Sequence, residues 1–188
     1  AVLVLGDRVI EIAGQEKNTT NNRMELVAAI NALKRVSKTY SLQPTTYNIK
    51  IYSDSSYLVN GITKWVKGWE RNGWKTKGKK NVENRDLWEK LSNLSKKFNG
   101  KIIWENVSGH VGVAGNERAD ILASNAADDL GTKLYNGNIS SYPFKVNDIS
   151  HNTAKKNLKS KSRSRNKAKA YSYLSMKEGE IKIHSNWL

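Results

Sequence analysis

A chain of 188 residues with 38% apolar content can build one domain with a real core plus an appendage, which excludes a protein disordered throughout. Its formal charge of +15 describes a surface that attracts polyanions, through neutralised phosphates and released counterions. No apolar run approaches a membrane span, and the absence of cysteine excludes disulfides and thiolate zinc sites, so any metal is held by carboxylate or imidazole, a donor set that favours magnesium or manganese.

Ala1 to Leu5 predicts a strand whose Gly6-Asp7 turn leads into a second strand, Val9 to Ala13. There is no initial Met and no basic-then-apolar leader pattern, so the chain reads as an internal piece of a longer, soluble, cytoplasmic and monomeric protein. Asn21 to Val36 carries Leu26, Val27, Ile30 and Leu33 at the spacing of one helix face, with Glu25 in its first turns. Pro44 marks a loop, and Asn48 to Ser53 alternates Ile49 and Ile51 as a buried strand that ends at Asp54; a helix follows from near Ser55. Trp65 and Trp69 are four apart on one helix face, with Trp74 just beyond. Between Lys64 and Lys80 stand seven basic residues and one acid, Glu70. Trp88 and Trp104 read as core.

Lys101 to Val107 predicts a further strand. Gly109, Gly112 and Gly115 then make a loop containing His110, and a helix runs from Asn116 to Leu130 with Asp120 in its first turns. Strands and helices thus mix, and an α/β fold is expected over residues 1–130. From Gly131 the pattern dissolves. Residues 151–170 hold eight Lys or Arg and no acid, so 131–170 is expected to be a disordered basic linker. Tyr171 to Leu174 and Ile181 to Ile183, around Glu178-Gly179, look like the opening hairpin of a second, truncated module over 171–188.

Hard divalent cations take oxygen ligands, and a two-metal site needs several converging carboxylates. Asp54 at a strand end, with Glu25 and Asp120 near helix starts, could share one spot. Each has a plain alternative, because acids favour the first turn of any helix through its dipole. His110 in a glycine loop reads as a general base, a proton shuttle or a solvated surface residue.

The sequence around each acid resembles one family. Thr19-Thr20-Asn21-Asn22-Arg23-Met24-Glu25-Leu26 is similar to the helix-entry motif of type 1 ribonuclease H, and Tyr52-Ser53-Asp54-Ser55 to its central-strand Asp motif. Gly61 to Trp65 through Gly73-Trp74-Lys75-Thr76 resembles its basic protrusion. Gly109-His110 with Gly115 to Asp120 resembles its last catalytic segment. The resemblance covers residues 1–130 and implies a ribonuclease H-like fold, a mixed five-stranded sheet flanked by helices. It implies an endonuclease that hydrolyses RNA in RNA–DNA hybrids with two Mg2+ ions, Mn2+ being an alternative, and no small-molecule cofactor. Glu25, Asp54 and Asp120 would be the metal-binding carboxylates, and His110 would assist proton transfer or product departure.

The family's remaining carboxylate is an Asp on the first strand, in a motif like Thr-Asp-Gly-Ser. That strand is expected upstream of Ala1, which would leave this chain inactive or severely impaired. The resemblance further implies contacts to the hybrid from Thr20 and Asn84 at a DNA phosphate, from Asn21, Asn22 and Asn116, and from Lys75 and Thr76. Asn18 stands where some relatives have Arg, and Ser56 where a longer side chain is common. Trp69 and Trp74 would pack on deoxyribose; Trp65 would cement the protrusion or share that contact. Asn21 or Asn22 could instead cap the helix. Tyr171 to Trp187 resembles the opening of the hybrid-binding domain that accompanies some ribonucleases H. Two rivals stand beside this reading: a hybrid-binding protein without chemistry, and the ribonuclease H domain of a reverse transcriptase.

Overall fold

The computed structural model describes residues 1–40, 47–107 and 114–144 and the backbone of 180–185; His110 and the basic run 151–170 lie outside the described residues. Strands β1 (Val2–Leu5) and β2 (Arg8–Glu11) form the expected hairpin, with Gly6 at φ +61° making the tight reversal that a side chain would oppose. Helix α1 (Asn21–Tyr40) outruns the predicted span by a turn and leads to β3 (Asn48–Ser53). Then α2 (Ser56–Asn60) passes through a π-helical turn, Gly61–Trp65, into α3 (Val66–Arg71). Helix α4 (Arg85–Lys97), strand β4 (Ile102–Asn106), helix α5 (Ala114–Ala127), β5 (Asn136–Asn138) and β6 (Glu180–Ser185) follow.

The sheet has six strands in the order β4-β3-β6-β1-β2-β5. β6 lies parallel to β3 and antiparallel to β1, and β4 is parallel to β3. The sheet separates two cores because successive residues of a strand point to opposite faces. Leu3, Leu5, Ile10, Ile49 and Ile51 pack with α1, α2 and α4 on one face. Val2, Val4 and Val9 pack with Ala119 and Leu122 of α5 and with Tyr142 on the other. The arrangement is three layers, helix over sheet over helix.

Two expectations change here. The five-stranded sheet lacking a first strand is a six-stranded one, because Glu180–Ser185, expected to open a separate module, pairs into the middle of this sheet. The domain also does not stop at residue 130. β5 pairs with β2, and Tyr142 is buried against Val2 and Val4. A three-residue strand, Asn136–Asn138, carries too little periodicity to be read from its residue types alone.

Candidate active site

Register brings the end of β3, next to Asp54, level with Ala1. Ser53 pairs with Ser185, and Val2 pairs with His184, which sets Ala1 level with Ser185. Ala1, the end of β6 and the end of β3 therefore stand in a row. Asp54 leaves that row at a tight corner: Ser53 is fully buried and its Oγ accepts the Ser55 N–H at 3.1 Å, while Ser55 Oγ accepts the Leu58 N–H at 3.2 Å and caps α2.

Glu25 reaches the row from one face. It is 5% exposed on α1, and its charge acts on the Ala1 nitrogen. Asp120 lies on α5, on the other face of the sheet, next to Ala119, which packs on the β1 valines. The three carboxylates thus come from three layers of the fold.

Among the described residues no group of three Asp, Glu or His side chains is arranged to hold an ion. The donor set still has the right chemistry for a hard cation, since every candidate donor is oxygen. Asn116, four residues before Asp120 and so on the same helix face, is 2% exposed, and its Oδ1 has no hydrogen-bond partner among the described residues. At that burial Asn116 is packed inside the domain.

Arg23 assembles the predicted phosphate pocket. Its backbone N–H donates to Thr20 Oγ1 at 3.4 Å, and its guanidinium donates to Asn84 Oδ1 at 3.4 Å and to both Asp86 oxygens at 3.1 and 3.2 Å. Thr20, not Asn21 or Asn22, therefore caps α1, and both asparagines stay exposed on its first turn. Asn84 sits at φ +56°, donates to the Tyr57 hydroxyl at 3.2 Å and opens α4. Asp86 lies below the usual carboxylate range because of the hydrogen bonds from Arg23. The sequence offered a clue to Arg23: a cation in the first turn of a helix opposes the helix dipole unless an acid holds it.

In the protrusion, Lys64, Lys67, Arg71, Lys75, Lys77, Lys79 and Lys80 are all exposed. Glu70, the one acid there, is engaged elsewhere, accepting from Lys96 at 2.7 Å and from Ser92 at 2.7 Å, and these bonds hold its carboxyl low. The basic surface is thereby left without an internal counter-charge. Thr76 is spent partly on its own loop, its N–H donating to the Lys80 carbonyl at 2.9 Å.

The tryptophans divide differently from expectation. Trp74 is only 9% exposed and belongs to the core with Val82 and Leu87, so it cannot offer a broad face to deoxyribose. Trp65 is 39% exposed and is the ring the protrusion presents, with Trp69 packed between it and Trp88 at 5.7 and 5.6 Å. Trp88 is fully buried, as expected, and Trp104 is half-buried.

Residues 1–128 match the family model for RNase H. The chain is similar to the ribonuclease H of Francisella tularensis subsp. novicida, at 50% identity over 120 residues that cover 64% of this chain and 73% of the relative. It is 49% identical over 123 residues to that of Francisella philomiragia, covering 65% and 75%. Among solved structures it resembles LC9-RNase H1, described as a type 1 RNase H with the type 2 active-site motif, at 32% identity and a TM-score of 0.53. That match covers 69% of this chain and spans 58% of the length of the other.

Proposed function

The chain belongs to the ribonuclease H family, and from that premise we propose that it is an endonuclease hydrolysing the RNA strand of RNA–DNA hybrids. The observation that supports this reading is Asp54 directly after the end of β3 with Glu25 buried on α1 beside Ala1, in a domain that carries an exposed basic protrusion. When bound, a pair of divalent cations, magnesium first and manganese as substitute, would activate water and stabilise the leaving 3′-oxygen. Glu25, Asp54 and Asp120 are the residues that would hold them.

The chain's own groups do the rest. Thr20 and Asn84, fixed by Arg23, receive a phosphate of the DNA strand; Asn22 and Asn21 face the RNA strand, where the 2′-hydroxyl distinguishes RNA from DNA. The protrusion's lysines and Trp65 hold the backbone without reading bases, so affinity is salt-dependent and sequence preference weak. His110 moves the proton at the departing group. The reading carries with it a cytoplasmic monomer.

The rival reading is a protein that binds hybrids without cutting them. A labelled RNA–DNA hybrid incubated with magnesium separates the two. Metal-dependent cleavage that falls roughly a hundredfold or more in Asp54→Asn, with hybrid affinity kept, supports the enzyme. Tight binding with no cleavage by the unaltered chain supports the second reading.

A further inference from the structure

Helix α5 is seated on the sheet through Ala119 and Leu122, which meet Val2 and Val4 of β1 and Val9 of β2. Alanine offers little side chain to interlock with a neighbour, so this stripe sets the height of the helix better than its rotation. At 3.6 residues per turn, Arg118 and Asp120 lie about 200° apart around α5 and flank the stripe on opposite sides. Whatever holds the Arg118 flank therefore decides where the Asp120 flank stands.

Arg118 is held by β2. Its Nε donates to Glu11 Oε1 at 2.7 Å and its Nη2 to Glu11 Oε2 at 3.2 Å, a fork that fixes the plane of the guanidinium as well as its position. The Glu11 side chain is wholly buried, and its two oxygens are completed by the Tyr142 hydroxyl and the Tyr135 N–H. The Phe144 ring lies against the same guanidinium, 4.1 Å from its carbon to the ring centroid. Tyr135, Tyr142 and Phe144 all lie beyond residue 128, the last one matched by the RNase H family model. β2 is on one side of β1 and β3 on the other, so tying Arg118 toward β2 turns the Asp120 flank toward the β3 side, where Asp54 follows Ser53.

We propose that Glu11 is a positioning residue for Asp120: by gripping Arg118 beneath the Tyr135–Phe144 segment, it sets the rotation of α5 and with it the placement of Asp120 relative to Asp54. Burying an ion pair gains little over apolar packing of the same volume, whereas a bidentate pair supplies a direction that apolar packing lacks. Because the three acids come from three layers, that direction matters to whether they can share a cation. The proposal rests on the reading of Asp120 as a carboxylate that holds a divalent cation, but the rotation of α5 is measurable without metal.

The full chain is compared with Arg118→Lys, which keeps the charge and loses the fork. Tyr142→Phe, which removes one donor and keeps the ring, takes its place should Arg118→Lys fail to fold. Residual dipolar couplings of the metal-free protein should change for the α5 amides and stay as they were for those of α1. Magnesium affinity, followed by amide shifts, should fall roughly tenfold or more. In an Asp120→Asn background the same substitution should lower it no further, as expected when one residue acts through the other. In hybrid cleavage, kcat should fall and recover with added magnesium, at unchanged KM. Unchanged α5 couplings overturn the proposal, as does a magnesium affinity that Asp120→Asn lowers and Arg118→Lys leaves alone, or an equal further loss in the Asp120→Asn background. A magnesium affinity indifferent to Asp120→Asn itself sinks the reading of Asp120 and the positioning role with it, whereas failure confined to the Arg118→Lys comparisons sinks the positioning role alone.

Discussion

Ser53 and Ser185 pair side by side in parallel register, at the end of the sheet where β3 gives way to Asp54. The relationship joins residues 132 positions apart and makes the last strand of the chain a neighbour of its most firmly placed acid.

Trp65 and Trp74 should separate binding from folding. Trp65→Ala is expected to weaken hybrid affinity by about 1–3 kcal/mol, as for loss of a stacking ring, while leaving the melting temperature nearly as it was. Trp74→Ala should destabilise by about 3–5 kcal/mol through loss of core packing. Paired binding and denaturation curves check both, and the opposite division would restore Trp74 as the contact.

Glu11 is the buried acid that ties three parts of the domain. It accepts from Arg118 Nε at 2.7 Å, from the Tyr142 hydroxyl at 2.6 Å and from the Tyr135 N–H at 2.9 Å. Burial pushes its carboxyl up, but the bonds from Arg118, Tyr142 and Tyr135 together outweigh burial and hold it below its ordinary value of 4.5. A lowered folded value means that its stabilisation is present above that ordinary value and lost as pH falls through the lower one. Glu11→Gln should cost about 3–5 kcal/mol at neutral pH, since it leaves Arg118 without its counter-charge. The melting-temperature gap between the two proteins should narrow below pH 4.5. A gap constant down to pH 3, roughly, would contradict the assignment.

Gly61 is required by a neighbour and not by its own backbone. Its φ is helical, yet a Cβ there would lie inside the Trp88 ring. The ring is fixed by the bond from its Nε1 to the Tyr57 hydroxyl at 3.0 Å. Gly61→Ala should therefore lose about 1–3 kcal/mol despite its better helix propensity, and urea denaturation measures it. Stabilisation would mean that the π-helical turn relaxes freely.

Local patterns were enough for much of this protein. The apolar spacing of α1, the alternation of β3, the hairpin turn at Gly6 and the motifs around Glu25, Asp54 and Asp120 all lie within a few residues of one another, so composition and periodicity determine them. The same holds for the basic protrusion, whose charge is a property of residue type. Contacts between distant residues are another matter. That Trp74 is core and Trp65 is surface depends on where Val82 and Leu87 arrive; that Arg23 joins Thr20 to Asn84 depends on Asp86, and that Asn116 is walled in depends on the packing of α5. The placement of Glu180–Ser185 is the extreme case. Six residues with an alternating pattern can pair with any open edge, and their pairing with β1 and β3, strands more than a hundred positions away, is not written in their neighbours.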